Sequence, residues 1–392
     1  MKNKINKIFF ISTEYPPAPG GIGTHAYNLL KNLRDLGWET IVATNQEYVD
    51  ETEVADFNNK QNYVLLRLQT SITIMLLLKK IFFLIKEIRK HKPDVIMGSG
   101  RHASYFAYIC AFVTFKKCVL VGHGTEFIMK LSPRSTIINK WVYSKASSII
   151  YVSKYTQKVA EENGIHNNNP IILYNGADNV FFKTIPDAAI SQFKTEQGIT
   201  SQKIIITTGT ISERKGQATV VRAMPEILKK VPNAHYYSIG MSNGPFFEKV
   251  SILTKEVGVE SNVHFLGRRS QNELLNWLNA ADVYVLPSAV VPGKDIEGFG
   301  ISVIEAAFCK KPAVVTDQSG AIESIEPNIT GLVATMGEPA SMAEKLIALL
   351  KNEDLCRKMG DASLKRANES FTWAKATLEY HKYLIKFIGK IE

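Results

Sequence analysis

Two carboxylates, Glu297 and Glu305, bracket the stretch EGFGISVIE. Gly298 and Gly300 allow a ligand close to the backbone. The apolar spacing after them predicts a helix whose free N–H groups can hold phosphate. Glu305 then falls near the end of the helix's second turn, and Glu297 stays on the preceding loop. One carboxylate can bind hydroxyls at one end of a ligand and the other can bind hydroxyls at the far end. A sugar nucleotide has that layout: sugar hydroxyls, diphosphate, ribose hydroxyls. The alternative for Glu305 is a surface helix residue. Its surroundings, ISVIEAAF, are nearly all apolar, and a buried carboxylate needs partners.

Two other stretches offer anion-binding chemistry. In TGTISERKGQ a strand ends at Gly209, and a loop delivers Arg214 and Lys215 just before Gly216. Paired cations at a strand-to-helix junction suit a diphosphate, although exposed loop cations are ordinarily just solvated. In PPAPGGIGTHAYNLL, Gly20, Gly21 and Gly23 stand between a first strand and a first helix. Their spacing is not the dinucleotide fingerprint, so a phosphate loop and a plain flexible turn both fit.

These residues need a scaffold that brings strand ends together. KIFFIS, ETIVAT, DVIMGSG, CVLVGHG, SIIYVS and IILYNG read as strands, with helical spacing between them. After a polar stretch near 185–200 the pattern restarts with KIIITTG, AHYYSIG, NVHFLG, DVYVLPS, PAVVTD and GLVAT. Two such series predict an α/β protein of two doubly wound domains, with ligands beyond the carboxyl ends of the strands. The 392 residues suffice for two domains, and 45% apolar with 21% charged residues suits a soluble fold.

Charge is uneven. Residues 1–170 hold 22 Lys and Arg against 13 Asp and Glu, whereas residues 171–392 hold 25 against 24. A basic half suggests an anionic partner. No nucleic-acid-binding signature is present, so the expected partner is an anionic membrane surface. Segment 72–92 fits that expectation. Ile74, Leu77, Leu78, Ile81, Leu84, Ile85 and Ile88 share a predicted core face, while Met75, Leu76 and Phe83 mix with Lys79, Lys80, Lys86 and Lys90 on the outer face. The alternative is an ordinary solvated helix. Four scattered cysteines, no secretory h-region and no long apolar run predict a cytoplasmic protein, peripheral on the cytoplasmic face of the membrane.

In order along the chain, PPAPGGIGTHAYNLL, GHGTE, VSKYT, LYNGAD, SERKGQ, FLGRRSQNELLNWLNAADVYVLPS, EGFGISVIEAA, DQSGAIESI and TGLVA resemble the family 4 glycosyltransferases. The resemblance covers nearly the whole chain. It implies the GT-B fold, two Rossmann-like domains facing across a cleft. Residues 1–180 would bind acceptor and 181–370 the nucleotide sugar, and a C-terminal helix within 371–392 would pack back on the first domain.

The resemblance also implies retaining transfer from a nucleoside-diphosphate sugar to a glycan or lipid-linked acceptor, with no cofactor and no metal. Gly21 and Gly23 would face the diphosphate. Lys215, with Arg214, would bind phosphate and stabilise the leaving group. Glu297 would bind the donor sugar hydroxyls, the backbone of Phe299, Gly300 and Ile301 would contact sugar or phosphate, and Glu305 would hold the ribose. His123 would sit near the reacting centre, with Glu126 as a possible acceptor or sugar contact; a lone His is otherwise often structural.

Two departures stand out. Thr210 occupies the position where the family commonly has Arg. Ser319-Gly320-Ala321-Ile322-Glu323 keeps only the Gly and Glu of the family's G-G-x-P-E. SERKGQ and EGFGIS resemble GDP-mannose-dependent mannosyltransferases. UDP-sugar donors, an epimerase or phosphorylase, and a non-catalytic nucleotide-sugar-binding subunit are the alternatives.

Overall fold

The computed structural model describes residues 5–18, 20–45, 50–69 and 73–389. The chain divides into two compact units, Met1–Asn175 with Trp373–Glu392, and Gly176–Thr372. The division at 180/181 expected from sequence lies a few residues beyond this break.

The first unit is a seven-stranded parallel sheet. Its strands are β1 (Lys7–Ser12), β2 (Glu39–Asn45), β3 (Val64–Leu68), β4 (Val95–Ser99), β5 (Lys117–Gly122), β6 (Ser148–Tyr151) and β7 (Pro170–Ile172), in spatial order 3-2-1-4-5-6-7. The helices between them are α1 (Gly21–Asp35), α2 (Glu51–Asn59), α3 (Ile74–His91), α4 (Arg101–Thr114), α5 (Thr125–Ile128), α6 (Pro133–Lys145) and α7 (Lys154–Glu162). The central strands are apolar throughout because helices cover both faces: Ile8, Phe9, Phe10 and Ile11 of β1 are all buried. Strand β3 is absent from the strands read in the sequence. It is an edge strand, half-exposed along most of its length, so its pattern is not a continuous apolar run.

The second unit begins with α8 (Asp187–Glu196), a helix where the sequence suggests only a polar stretch; Phe193 alone of its residues is buried. A six-stranded parallel sheet follows, in spatial order 10-9-8-11-12-13. Its strands are β8 (Lys203–Thr208), β9 (Ala234–Ile239), β10 (Val263–Gly267), β11 (Val283–Leu286), β12 (Ala313–Thr316) and β13 (Gly331–Ala334). Its helices are α9 (Gln217–Lys230), α10 (Pro245–Glu256), α11 (Gln271–Ala280), α12 (Ile301–Phe308), α13 (Pro339–Lys351) and α14 (Glu353–Ser370). Helix α9 packs its apolar stripe on this sheet and on α13, which joins Val220, Met224 and Ile227 to Leu346 and Leu349 in one core. Ser270 and Glu273 close a capping box that fixes the start of α11.

The chain then returns. Helix α15 (Trp373–Phe387) packs against α1 in the first unit, with Tyr380 and Leu384 fully buried.

Helix α3 corrects one expectation. Ile74, Leu77 and Leu78, expected in the core, are exposed, and the buried residues are Leu84, Glu87 and Ile88. Only the C-terminal half of the helix is seated. Ile72, the first residue of the expected segment, and the last residues of the expected C-terminal helix lie outside the described residues.

Candidate active site

In the second unit, the loop after β8 and the turn before α12 meet. Gly216 permits this approach. It has φ +67°, and a Cβ there would fall 1.9 Å from the carbonyl oxygen of Pro287. The buried side chain of Gln217 braces the loop: it accepts from the N–H of Ser212 at 3.2 Å and donates to the carbonyl of Thr210 at 3.3 Å.

That bracing presents Arg214 and Lys215 to the carboxylate of Glu297. Lys215 Nζ lies 2.9 Å from Glu297 Oε2, and Arg214 Nη1 pairs with the same oxygen. Arg214 Nε also donates to Asp295 Oδ2 at 2.7 Å. Burial of Glu297 would raise its pKa, but Lys215 and Arg214 outweigh that and hold it below the usual carboxylate range. Two cations thus meet two carboxylates. Arg214, expected to bind phosphate beside Lys215, has its guanidinium held by Asp295 and Glu297. Thr210, where the family commonly has Arg, is exposed and lends only its carbonyl to Gln217.

Gly300 caps α12 in the left-handed region at φ +87°, against Ala321 and Leu286, so a side chain here is both strained and crowded. Ile301 opens the helix. Glu305 is therefore its fifth residue, at the start of the second turn rather than near its end. The Phe299 side chain is buried against Phe371, which leaves its backbone as its ligand-facing chemistry. Gly320 donates its N–H to the Glu297 carbonyl at 2.9 Å, so the Gly retained from the G-G-x-P-E pattern steadies the turn.

Glu305 is half-buried on α12. Burial raises its pKa to about 7; Lys215 works against the shift and Asp178 adds to it. It is a carboxylate with little of its solvation left and free to accept hydrogen bonds from a ligand.

In the first unit, His123 follows β5. Its main-chain N–H donates to Glu126 Oε1 at 2.6 Å, and its Nε2 lies 2.9 Å from Ser99 Oγ at the end of β4. Burial lowers its pKa to about 4, so it is neutral near pH 7. Glu126 is itself buried, and its carbonyl accepts from Asn139 at 2.9 Å. Glu126, expected as an acceptor or sugar contact, accepts from the main chain of His123 and so braces the His123 loop.

Gly21 starts α1 rather than preceding it, with open space where a Cβ would stand. Gly23 lies inside the helix, and its missing Cβ lets α1 lie against the backbone of Tyr15, a packing reason for glycine.

Sequence reasoning missed His25. It is fully buried on α1, with its ring edge-on to His123 at 5.1 Å and its Nε2 3.1 Å from the hydroxyl of Tyr380 on α15. Burial, then the nearby His123, hold its pKa well below the ordinary value. A histidine at an inward helix position carries no signal beyond burial until its neighbours are known. Asp295 could have been found, since it precedes Glu297 by two residues on the same loop.

Residues 19–180 match the family model described as Glycosyltransferase Family 4, and residues 190–366 match Glycosyl transferases group 1. The chain belongs to glycosyltransferase family 4. This family 4 transferase is 25% identical, over 94% of its length and 94% of the relative's, to a GDP-mannose-dependent monoacylated alpha-(1-6)-phosphatidylinositol monomannoside mannosyltransferase of Corynebacterium glutamicum. It is 27% identical to N-acetyl-alpha-D-glucosaminyl L-malate synthase of Bacillus anthracis, over 69% of this chain and 70% of that one. HepE of Anabaena, solved with UDP and glucose, shares the fold at a TM-score of 0.82 and 19% identity, over 97% of the transferase and all of that chain. The transferase thus has the GT-B architecture, with two Rossmann-like units.

Proposed function

We propose that the transferase moves a hexose from a nucleoside-diphosphate sugar, with GDP-mannose the favoured donor, to a glycan or lipid-linked acceptor in cell-surface polysaccharide or glycolipid synthesis. The single observation that carries this reading is the arrangement of Lys215, Glu297 and Glu305 around one turn and helix. Lys215 supplies positive charge for a diphosphate whose negative charge grows as the glycosidic bond breaks. Glu297 would exchange part of its cation pairing for sugar hydroxyls. Glu305 would accept hydrogen bonds from the ribose, and the start of α12 with the backbone of Phe299, Gly300 and Ile301 would face phosphate.

The similarity to GDP-mannose-dependent enzymes supports the base and sugar. The UDP-bound neighbour keeps a UDP-sugar as the second reading. Neutral His123, beside His25 of α1, would line the donor sugar; transfer would retain anomeric configuration and use no metal.

A thermal-shift screen with GDP, UDP and their sugars, followed by detection of glycosylated product with membrane lipid extract, tests the proposal. A GDP-selective shift with transfer of mannose supports it. A UDP-selective shift moves the assignment to a UDP-sugar, and binding without any product in every acceptor mixture favours a non-catalytic subunit.

A further inference from the structure

The crossovers from β3 to β4, β4 to β5 and β5 to β6 all move in one direction along the sheet. Right-handed connections place their helices on one face, and α4 packs between α3 and α6. These helices leave large apolar side chains in the open. Helix α3 exposes Ile74, Met75, Leu78 and Phe82; α4 exposes Phe112; α6 exposes Ile137 and Trp141. Isolated exposed apolar residues are ordinary, but their concentration on three neighbouring helices is not.

The charge on the same helices has one sign. Helix α3 carries five Lys and Arg, α4 one and α6 three, against a single carboxylate. That carboxylate, Glu87, is buried and pairs with Lys90 and His91.

Phe115 adds an independent observation. It ends α4 in the left-handed region at φ +54°, a position that glycine normally fills. Its side chain is 96% exposed, so no packing within the chain compensates for the backbone strain. An observed outlier of this kind points to a use outside the folded chain. Lys92 ends α3 in the same conformation, just before the neighbouring strand β4, so a cation and an exposed phenyl ring sit at adjacent helix ends.

We infer that α3, α4 and α6 form a face that lies flat on an anionic bilayer, with Phe115 inserted as an anchor. Apolar side chains among lysines suit the headgroup boundary of such a membrane, where Trp also concentrates. No helix among the described residues is long and apolar enough to cross a membrane, which fits contact in the plane. The inference rests on the transferase reading only in explaining why a lipid-linked acceptor would be met there. Vesicle binding requires neither donor nor acceptor, so the two readings fail separately.

The test is co-flotation of the full chain with phosphatidylcholine vesicles, with and without phosphatidylglycerol, at low and high salt. Wild type should float with the anionic vesicles at least about tenfold more than with neutral ones, and lose most of that binding at high salt. Phe115→Gly should act in opposite directions on two readouts: it should raise the melting temperature by relieving the backbone and cut vesicle binding several-fold. A second variant, Phe82→Ser with Phe112→Ser, should also cut binding while nucleoside diphosphate affinity stays unchanged. Equal binding to neutral and anionic vesicles, or none to either, overturns the inference. So does a fall in melting temperature for Phe115→Gly, or sedimentation showing a wild-type dimer that these variants dissociate, which would assign the face to a second copy of the chain.

Discussion

Changing Glu305 to Gln should alter how stability responds to pH. The folded-state pKa is raised from 4.5 to about 7 because burial removes solvent and Asp178 lies near, against partial relief from Lys215. Below about pH 4.5 the group is neutral in both folded and unfolded chains. Between 4.5 and 7 the unfolded chain loses its proton first, so the folded state binds more protons and stability falls as pH rises. Above 7 the loss is complete. At about 1.4 kcal/mol per pKa unit, the loss is about 3 kcal/mol. Glu305→Gln cannot ionise, so its stability relative to wild type should increase by that amount between pH 4 and pH 8. Urea melts of both proteins across this range give the difference directly. Ribose hydroxyls would donate to the ionised carboxylate and favour it, so nucleoside diphosphate should bind wild type about tenfold more tightly at pH 8 than at pH 6 and release a proton near neutrality. Parallel stability curves for the two proteins, or donor affinity with no pH dependence, would refute this account of Glu305.

Glu297→Gln leaves Lys215 without its carboxylate and Arg214 with Asp295 alone; it should destabilise the fold by about 1–3 kcal/mol in thermal melts, yet bind nucleoside diphosphate more tightly by calorimetry, because a competing anion is gone. Lys215→Ala should lower kcat by about 100-fold or more while binding of the free nucleoside is unchanged, measured by single-turnover transfer. Gly216→Ala should cost more than about 2 kcal/mol of stability, since its Cβ would overlap the Pro287 carbonyl, and should disorder the Arg214–Lys215 loop as read by loss of diphosphate binding. His25→Phe keeps the ring beside His123 but loses the Tyr380 contact; kcat should fall with little change in donor affinity, and an NMR titration should show the His123 pKa moving.

The parallel sheets were legible because their central strands are buried on both faces and read as apolar runs. Edge strand β3 and the polar helix α8 were not, since each buries only one side of a mixed pattern. The turn at Glu297–Glu305 was legible in its glycines and helix start. Its electrostatics were not: nothing local indicates that Arg214 and Lys215 both fold onto Glu297, because that pairing depends on Gly216 packing against Pro287. The amphipathic period of α3 was visible as a pattern, but the period alone cannot tell which half of a helix its neighbours cover. Burial of Leu84 and Ile88 and exposure of Ile74 and Leu78 are tertiary facts. His25 was missed for the same reason, as its neighbours His123 and Tyr380 are distant in sequence.

The most direct test of the central claim, that one turn and one helix bind opposite ends of a sugar nucleotide, is calorimetric titration of GDP and GDP-mannose, and of the UDP pair, into Glu305→Ala and Glu297→Ala. The account predicts that Glu305→Ala weakens nucleoside diphosphate and sugar donor alike. It predicts that Glu297→Ala keeps or tightens nucleoside diphosphate binding, since the same competing anion is gone, and loses the added affinity contributed by the sugar, together with transfer. Equal loss of nucleoside diphosphate binding in both variants, or no loss in either, would contradict it.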